Sequence, residues 1–355
     1  MAELIDDGNR PRLEAWLAGT LGAARVSVSD DGCLDDGRLV GGCLDDGRLD
    51  DGAVSRSRAV TLEVDGGPRA GRHACVLRAG SAAGIAAGLS MVQEAAVLAV
   101  AHGAGMAVPE PIAACDDPAV LGPDFCITRR VGGASAASRP AEAEALPPGL
   151  ARELGRQLGR LHAVLPDTPG LAGLAMPETS AALDAVQRCR AWLGDAAVRD
   201  PVLAWGLRWL EVNAPPAVAP VLCHRDLRAG NCLVEDGRLA AILGWGFAGF
   251  GDPMEDLGWF CAVSRRLGLA DRADLYAGYG ETAGRPVDEG AVAYWEAAAH
   301  LRRAAVALVR EGRHRSDAER SLEPALASRL VPVIELDLLR HLAAVGPRPT
   351  AGRIG

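Results

Sequence analysis

A chain of 355 residues with 49% hydrophobic and 23% charged side chains can form one large or two ordinary domains and is too apolar to be disordered throughout. Its 37 basic residues are all arginines and are outnumbered by 46 acids, so the net charge of −9 excludes a general attraction to nucleic acid or to an anionic membrane. Nine cysteines without a CxxC pair argue against a disulfide framework and against zinc. With the acidic, polar start MAELIDDGNR, they point to a cytoplasmic protein with reduced thiols. The most apolar stretch, residues 79–108, is broken by Gln93, Glu94, His102 and several glycines, and is no membrane span.

In chain order, Leu13, Leu17 and Leu21 predict a helix over residues 10–22. A tandem duplication follows, CLDDGRLVGG at 33–42 and CLDDGRLDDG at 43–52, whose Asp-Gly steps predict an acidic, turn-rich loop. Its Asp spacing does not fit a calcium loop. Strands are expected at 59–64 and 73–78 around the turn DGGPRAG, and Ser90 with Gln93 reads as a capping box opening a helix over 91–102. Further strands are expected at 111–115 and 125–131, then a Gly/Ala/Ser/Pro-rich hinge at 132–149. Beyond it, Leu154, Leu158 and Leu161 mark a helix, and more helices are expected at 179–194, 201–213, 271–281, 288–311 and 322–344. Residues 346–355 read as a disordered tail. The pattern is an α+β, bilobal chain: a small β-rich lobe at 1–130 and a larger helical lobe at 131–345.

The chemistry concentrates in 221–260, VLCHRDLRAGNCLVEDGRLAAILGWGFAGFGDPMEDLGWF. His224-Arg225-Asp226 follows an apolar strand, and Asn231 lies five residues beyond Asp226. Phosphoryl transfer requires a carboxylate beside the acceptor hydroxyl and oxygen ligands for magnesium, and one loop carrying an Asp and an Asn offers both. The H-R-D-x-x-x-x-N spacing is that of a kinase catalytic loop. Asp252, followed by Pro253 and Glu255, reads as a helix N-cap with Glu255 completing the cap.

HRDLRAGN, ILGWG and GDPMEDL, in this order and spacing, resemble the motifs of the aminoglycoside phosphotransferase family, which has a protein-kinase-like fold. Within the family, the subgroup most resembled includes the kinase-like domains of acyl-CoA dehydrogenase fusion proteins. The likeness extends over about residues 10–340, through CVLR (75–78), FCITRRVGG (125–133) and GRQLGRLHAVLP (155–166). It implies ATP and magnesium as cofactors and a small-molecule hydroxyl as acceptor. By this resemblance Asp226 is the catalytic base and Asn231 a magnesium ligand. Arg78 and Glu94 pair to orient the phosphates, and the backbone around Arg129 and Val131 holds the adenine. Gly41 and Gly42 fall in the phosphate-covering turn. His224 is a structural loop residue, and Asp256 braces the loop.

Two departures matter. The family's metal-binding Asp of I-L-D-W-E is Gly244 here, and its following acid is Gly246, so the main anionic ligand is missing. Restoring an acid at 244 is expected to raise magnesium-dependent turnover. The phosphate-covering turn is embedded in the acidic duplication, where six aspartates would oppose a triphosphate. An impaired phosphotransferase is therefore expected, with a non-catalytic kinase-like binding or regulatory protein as the alternative, or a different chemistry on the retained fold. Arg302, Arg303, Arg310, Arg313 and Arg315 lean toward an anionic or acyl acceptor, although a solvated helix face explains them more simply.

Overall fold

The computed structural model describes residues 4–33, 56–80, 88–138, 146–264, 268–316 and 328–346. The duplication after Cys33, Gly41 and Gly42 within it, and the expected tail from 347 onward all lie outside the described residues.

Leu13, Leu17 and Leu21 recur on one face of α1 (Arg10–Leu21) and are buried. They share a core with Val26 and Val28 of β1 (Arg25–Cys33), Val60 and Leu62 of β2 (Arg56–Asp65), and Leu77 of β3 (Gly71–Ala79). Strand period two then decides the rest. Along β3, Cys75, Leu77 and Ala79 are buried in the α1 core, which sends Val76 and Arg78 to the opposite face. That face meets α2 (Met91–Gly103). With β4 (Pro111–Cys115) and β5 (Phe125–Arg129), the strands form an antiparallel sheet in the order β1-β2-β3-β5-β4. Strand β1 is not among the elements the sequence predicts. The predicted strand at 125–131 ends at Arg129, and the chain leaves the sheet two residues early.

The capping box at α2 forms as expected: Ser90 Oγ accepts from the Gln93 N–H at 3.2 Å, and Gln93 Oε1 accepts from the Ser90 N–H at 3.1 Å. A single turn, α3 (Pro118–Leu121), joins β4 to β5. The expected hinge contains a two-residue strand, β6 (Ala134–Ser135), paired with β8 of the second lobe.

That lobe is built from α4 (Leu150–Leu161), α5 (Ala181–Leu193), a short α6 (Ala196–Arg199), α7 (Pro201–Val212), α8 (Pro253–Val263), α9 (Leu269–Ala283), α10 (Glu289–Ser316) and α11 (Val331–Val345). Leu154, Leu158 and Leu161 are fully buried, each worth about 2 kcal/mol on removal from water. Helices α4 and α9 cross with their backbones nearly touching: a Cβ on Gly278 would lie 1.9 Å from the Arg152 carbonyl oxygen, and one on Gly155 2.1 Å from that of Leu275. Between the helices, β7 (Val221–Cys223) pairs with β10 (Gly249–Gly251), and β8 (Cys232–Glu235) with β9 (Arg238–Ile242). The β8–β9 hairpin turns at Asp236 (φ 49°) and Gly237 (φ 77°), the two left-handed residues of a type I′ turn. Cys75, Cys115, Cys126, Cys189, Cys223, Cys232 and Cys261 are buried free thiols. Among the described residues no helix is long and apolar enough to cross a membrane.

Candidate active site

Strand β7 delivers the chain into the H-R-D loop, and the loop's shape is set by one carboxylate behind it. Asp256, fully buried on the first turn of α8, accepts from the backbone N–H of His224 at 2.8 Å and of Arg225 at 2.6 Å. His162, the C-cap of α4, donates to the same carboxylate at 3.1 Å and is itself held by the Tyr279 hydroxyl at 3.1 Å. Burial alone would raise the Asp256 pKa, but the hydrogen bond and charge of His162, together with His224, hold it below the usual value. Arg225 sits in the left-handed region at φ 63°, which the two backbone bonds to Asp256 stabilise.

His224 is locked as a structural residue. Its Nε2 donates to the Leu243 carbonyl at 2.9 Å, its Nδ1 accepts from the Asp226 N–H at 3.1 Å, and its ring packs 4.4 Å from Trp245. Burial lowers its pKa to about 4, in keeping with a neutral ring that both donates and accepts.

Asp226, also buried, is oriented by its own loop. Asn231 Nδ2 donates to Asp226 Oδ2 and to the Asp226 carbonyl, both at 2.8 Å, and the Arg228 guanidinium lies 3.5 Å from Oδ1. Arg228 is a site residue that sequence reasoning missed, although its place two residues after Asp226 was a usable signal. In the first lobe, Arg78 of β3 donates to Glu94 of α2. Glu94 is fully buried, whereas Arg78 keeps 22% of its side chain exposed. The two lobes meet at a backbone bond, Leu89 N–H to the Gly246 carbonyl, at 2.7 Å.

Arg129 does not point a cation at an open site: it is bonded to Glu110 at 2.9 Å. The backbone N–H groups of Arg129 and Arg130 are committed to the carbonyls of Glu110 and Ala74, while among the described residues no hydrogen bond uses the Val131 N–H. Asp252 caps α8 through the Met254 N–H at 2.8 Å. Glu255 does not complete that cap, because it is drawn to Arg225 at 3.1 Å. Arg302 is not a solvated helix residue. It donates to the Arg225 carbonyl and stacks on Phe247 (4.7 Å) and Trp259 (4.4 Å).

The position vacated by the family's acid has been filled. Gly244 adopts φ 81°, and a Cβ there would fall 2.3 Å from Asn231 Nδ2 and 2.7 Å from its Cγ. The Asn231 amide thus occupies the space a residue-244 side chain needs, and its nitrogen is spent on Asp226. One neutral amide oxygen with no carboxylate at 244 does not fit a magnesium site of the Asn-plus-Asp kind. The expectation that a restored acid would simply rebuild the site is corrected by this packing. A second cluster, His162, Cys223 and Asp256, brings three ligand-type atoms within 4.8 Å of one another. Burial and nearby acids push the Cys223 thiol well up, its Sγ lies 3.4 Å from the Asp252 carbonyl, and the cluster serves as the brace described above.

An antiparallel lobe bearing an Arg–Glu pair, joined to a helical lobe bearing a braced H-R-D loop, is the architecture of a kinase-like phosphotransferase. The phosphotransferase enzyme family profile matches residues 70–295, and the chain belongs to that family. Among solved structures, one from Ralstonia eutropha, provisionally assigned as an aminoglycoside phosphotransferase, is 19% identical, with TM-score 0.70, over 94% of this chain and 98% of that one. A macrolide 2′-phosphotransferase from Brachybacterium faecium is 20% identical, with TM-score 0.54, over 89% and 96%. An aminoglycoside phosphotransferase in ternary complex with ADP and hygromycin B is 19% identical, with TM-score 0.55, over 92% and 98%. These likenesses bear on the fold. No curated protein matches the chain.

Proposed function

We propose that the chain transfers the γ-phosphate of ATP to a hydroxyl of a small molecule, with Asp226 as the base. The supporting observation is the posture of Asp226: a buried carboxylate on a loop fixed by Asp256, aimed by Asn231 and flanked by Arg228. In this reaction the acceptor oxygen bonds to the γ-phosphorus as the bond to the β-phosphate oxygen breaks. The hydroxyl proton passes to Asp226, and ADP leaves with the displaced oxygen. Arg78, steadied by Glu94, faces the phosphates, and the Val131 N–H is the hinge donor for the adenine. Within the family we place the chain with the kinase-like domains of acyl-CoA dehydrogenase fusion proteins, on the HRD, ILGWG and GDPMEDL motifs. A cytoplasmic site of action belongs to the same reading.

The test is ADP formation together with mass-spectrometric detection of a phosphorylated product, using ATP and a set of small alcohols. Asp226→Ala is expected to lower turnover by about 10²–10⁴-fold, the usual contribution of a positioned base. Unchanged turnover in that variant would overturn the assignment. The Asn231 amide filling the Gly244 position favours a second reading, in which nucleotide binds without transfer. Phosphorylated product from the wild-type chain rules that reading out.

A further inference from the structure

Helix α5 presents Ala185, Arg188, Cys189 and Trp192 at the i, i+3, i+4 and i+7 positions of one face. Helix α10 presents Trp295, Ala298, Ala299 and Arg302 at the same spacing. Glu255 and Trp259, one turn apart on α8, close the third side. Where the three faces meet, the small alanines leave a cleft of about 620 Å³, its open mouth included, with Arg225 of the H-R-D loop in its wall. Three tryptophans give it broad apolar sides. Three guanidiniums against one carboxylate make it locally cationic in a chain whose net charge is −9.

The three arginines are not equivalent. Arg225 is bonded to Glu255 and to the Phe250 carbonyl at 2.6 Å, and Arg302 is bonded to the Arg225 carbonyl and sandwiched by rings. Both are spent on holding the loop. Arg188 makes no hydrogen bond or ion pair with any described residue. Burial, with the neighbouring charge of Arg225, lowers its pKa, so its cation is held at a cost that a bound anion would relieve. A guanidinium left unmatched in a tryptophan-walled cleft offers a planar, two-pronged donor to a carboxylate.

We propose that this cleft is the acceptor subsite and that it takes a hydroxy acid, its carboxylate on Arg188 and its apolar or aromatic body between Trp192, Trp259 and Trp295. The acceptor role rests on the phosphotransferase reading, whereas the recognition of an acid does not. The subsite selects against polycationic acceptors, which would meet three arginines.

Binding is measured without ATP, by the change in tryptophan fluorescence of the whole chain on titration with 3-phenyllactate, its neutral amide and phenylalaninol, which carries an amine. The acid is expected to bind at least tenfold more tightly than the amide, with phenylalaninol weakest. Arg188→Gln is expected to remove that preference without lowering thermal stability, since Arg188 holds nothing in the fold and its cation is kept at a cost. Equal binding of acid and amide, no saturable change with the acid, or a preference that survives in Arg188→Gln would each overturn the proposal. Failure of the phosphotransferase reading shows instead in the Asp226→Ala turnover. An acid that binds and perturbs the tryptophans but is never phosphorylated keeps the subsite and discards the reaction.

Discussion

Replacing Gly244 by aspartate should damage the loop before it helps any metal. The new Cβ would stand 2.3 Å from Asn231 Nδ2 and 2.7 Å from Cγ, distances at which the Asn231 amide must shift. Displacing Asn231 breaks its two 2.8 Å bonds to Asp226, at about 1 kcal/mol each. Holding a non-glycine residue at φ 81° adds about 1 kcal/mol more, aspartate being among the more tolerant residues there. The sum is about 3 kcal/mol of lost stability, a drop of several degrees in Tm. Asn231→Ala removes every atom in conflict, so the double variant Asn231→Ala with Gly244→Asp should be more stable than the two single costs predict. Thermal and urea unfolding of the four proteins, with and without magnesium, measures this cycle. A Gly244→Asp variant as stable as the parent, or strict additivity, would show that Asn231 does not fill this space.

Other consequences follow from buried groups. Arg78→Met leaves the fully buried Glu94 uncompensated and should cost about 3–5 kcal/mol in urea unfolding as well as weaken ATP binding; a silent variant would remove the pair from the account. Asp256→Ala strands two backbone donors and His162, at about 1–3 kcal/mol for each orphaned group, so the chain should unfold cooperatively at much lower urea or fail to fold; near-parental stability would show that the loop is braced otherwise. Burial lowers the pKa of His300 to about 3, against about 6.5 when unfolded, so between these values only the unfolded chain takes the proton. Its contribution is therefore complete above about pH 6.5 and falls with pH, by about 2–3 kcal/mol at pH 4.5. His224, lowered to about 4, acts in the same direction, while Glu335, raised to about 7, opposes both. His300→Gln should accordingly show a shallower loss of stability from pH 7 to 4.5 than the parent, and an equal or steeper loss would contradict the burial argument.

Local signals made much of this molecule readable. The Ser90–Gln93 box and the leucine stripe of α4 are decided by residues within a few positions of one another, and each forms where expected. The H-R-D loop was readable as a motif, but its bracing by His162 and Tyr279 was not, because both lie far away in the chain. Strand β1 has a weak signal in the sequence, because only Val26 and Val28 alternate inward before the polar Ser-Asp-Asp-Gly run begins. The Glu255 cap fails for a tertiary reason: the nearly buried guanidinium of Arg225 is the stronger partner. Arg302 looked solvated in a helix rich in arginine, and only the fold places it on Phe247 and Trp259. Gly244 announced a missing ligand, but that Asn231 had taken over its volume depends on φ and packing, which no spacing encodes.

In the proposed reading, the site holds nucleotide through Arg78 and the hinge while lacking a two-ligand magnesium site. Calorimetric titration of ATP into the purified chain, with and without magnesium, tests both halves of that reading. Saturable ATP binding is expected, strengthened by magnesium by less than about threefold, equivalent to roughly 0.7 kcal/mol. Magnesium strengthening the binding by tenfold or more, or no ATP binding in either condition, would contradict it.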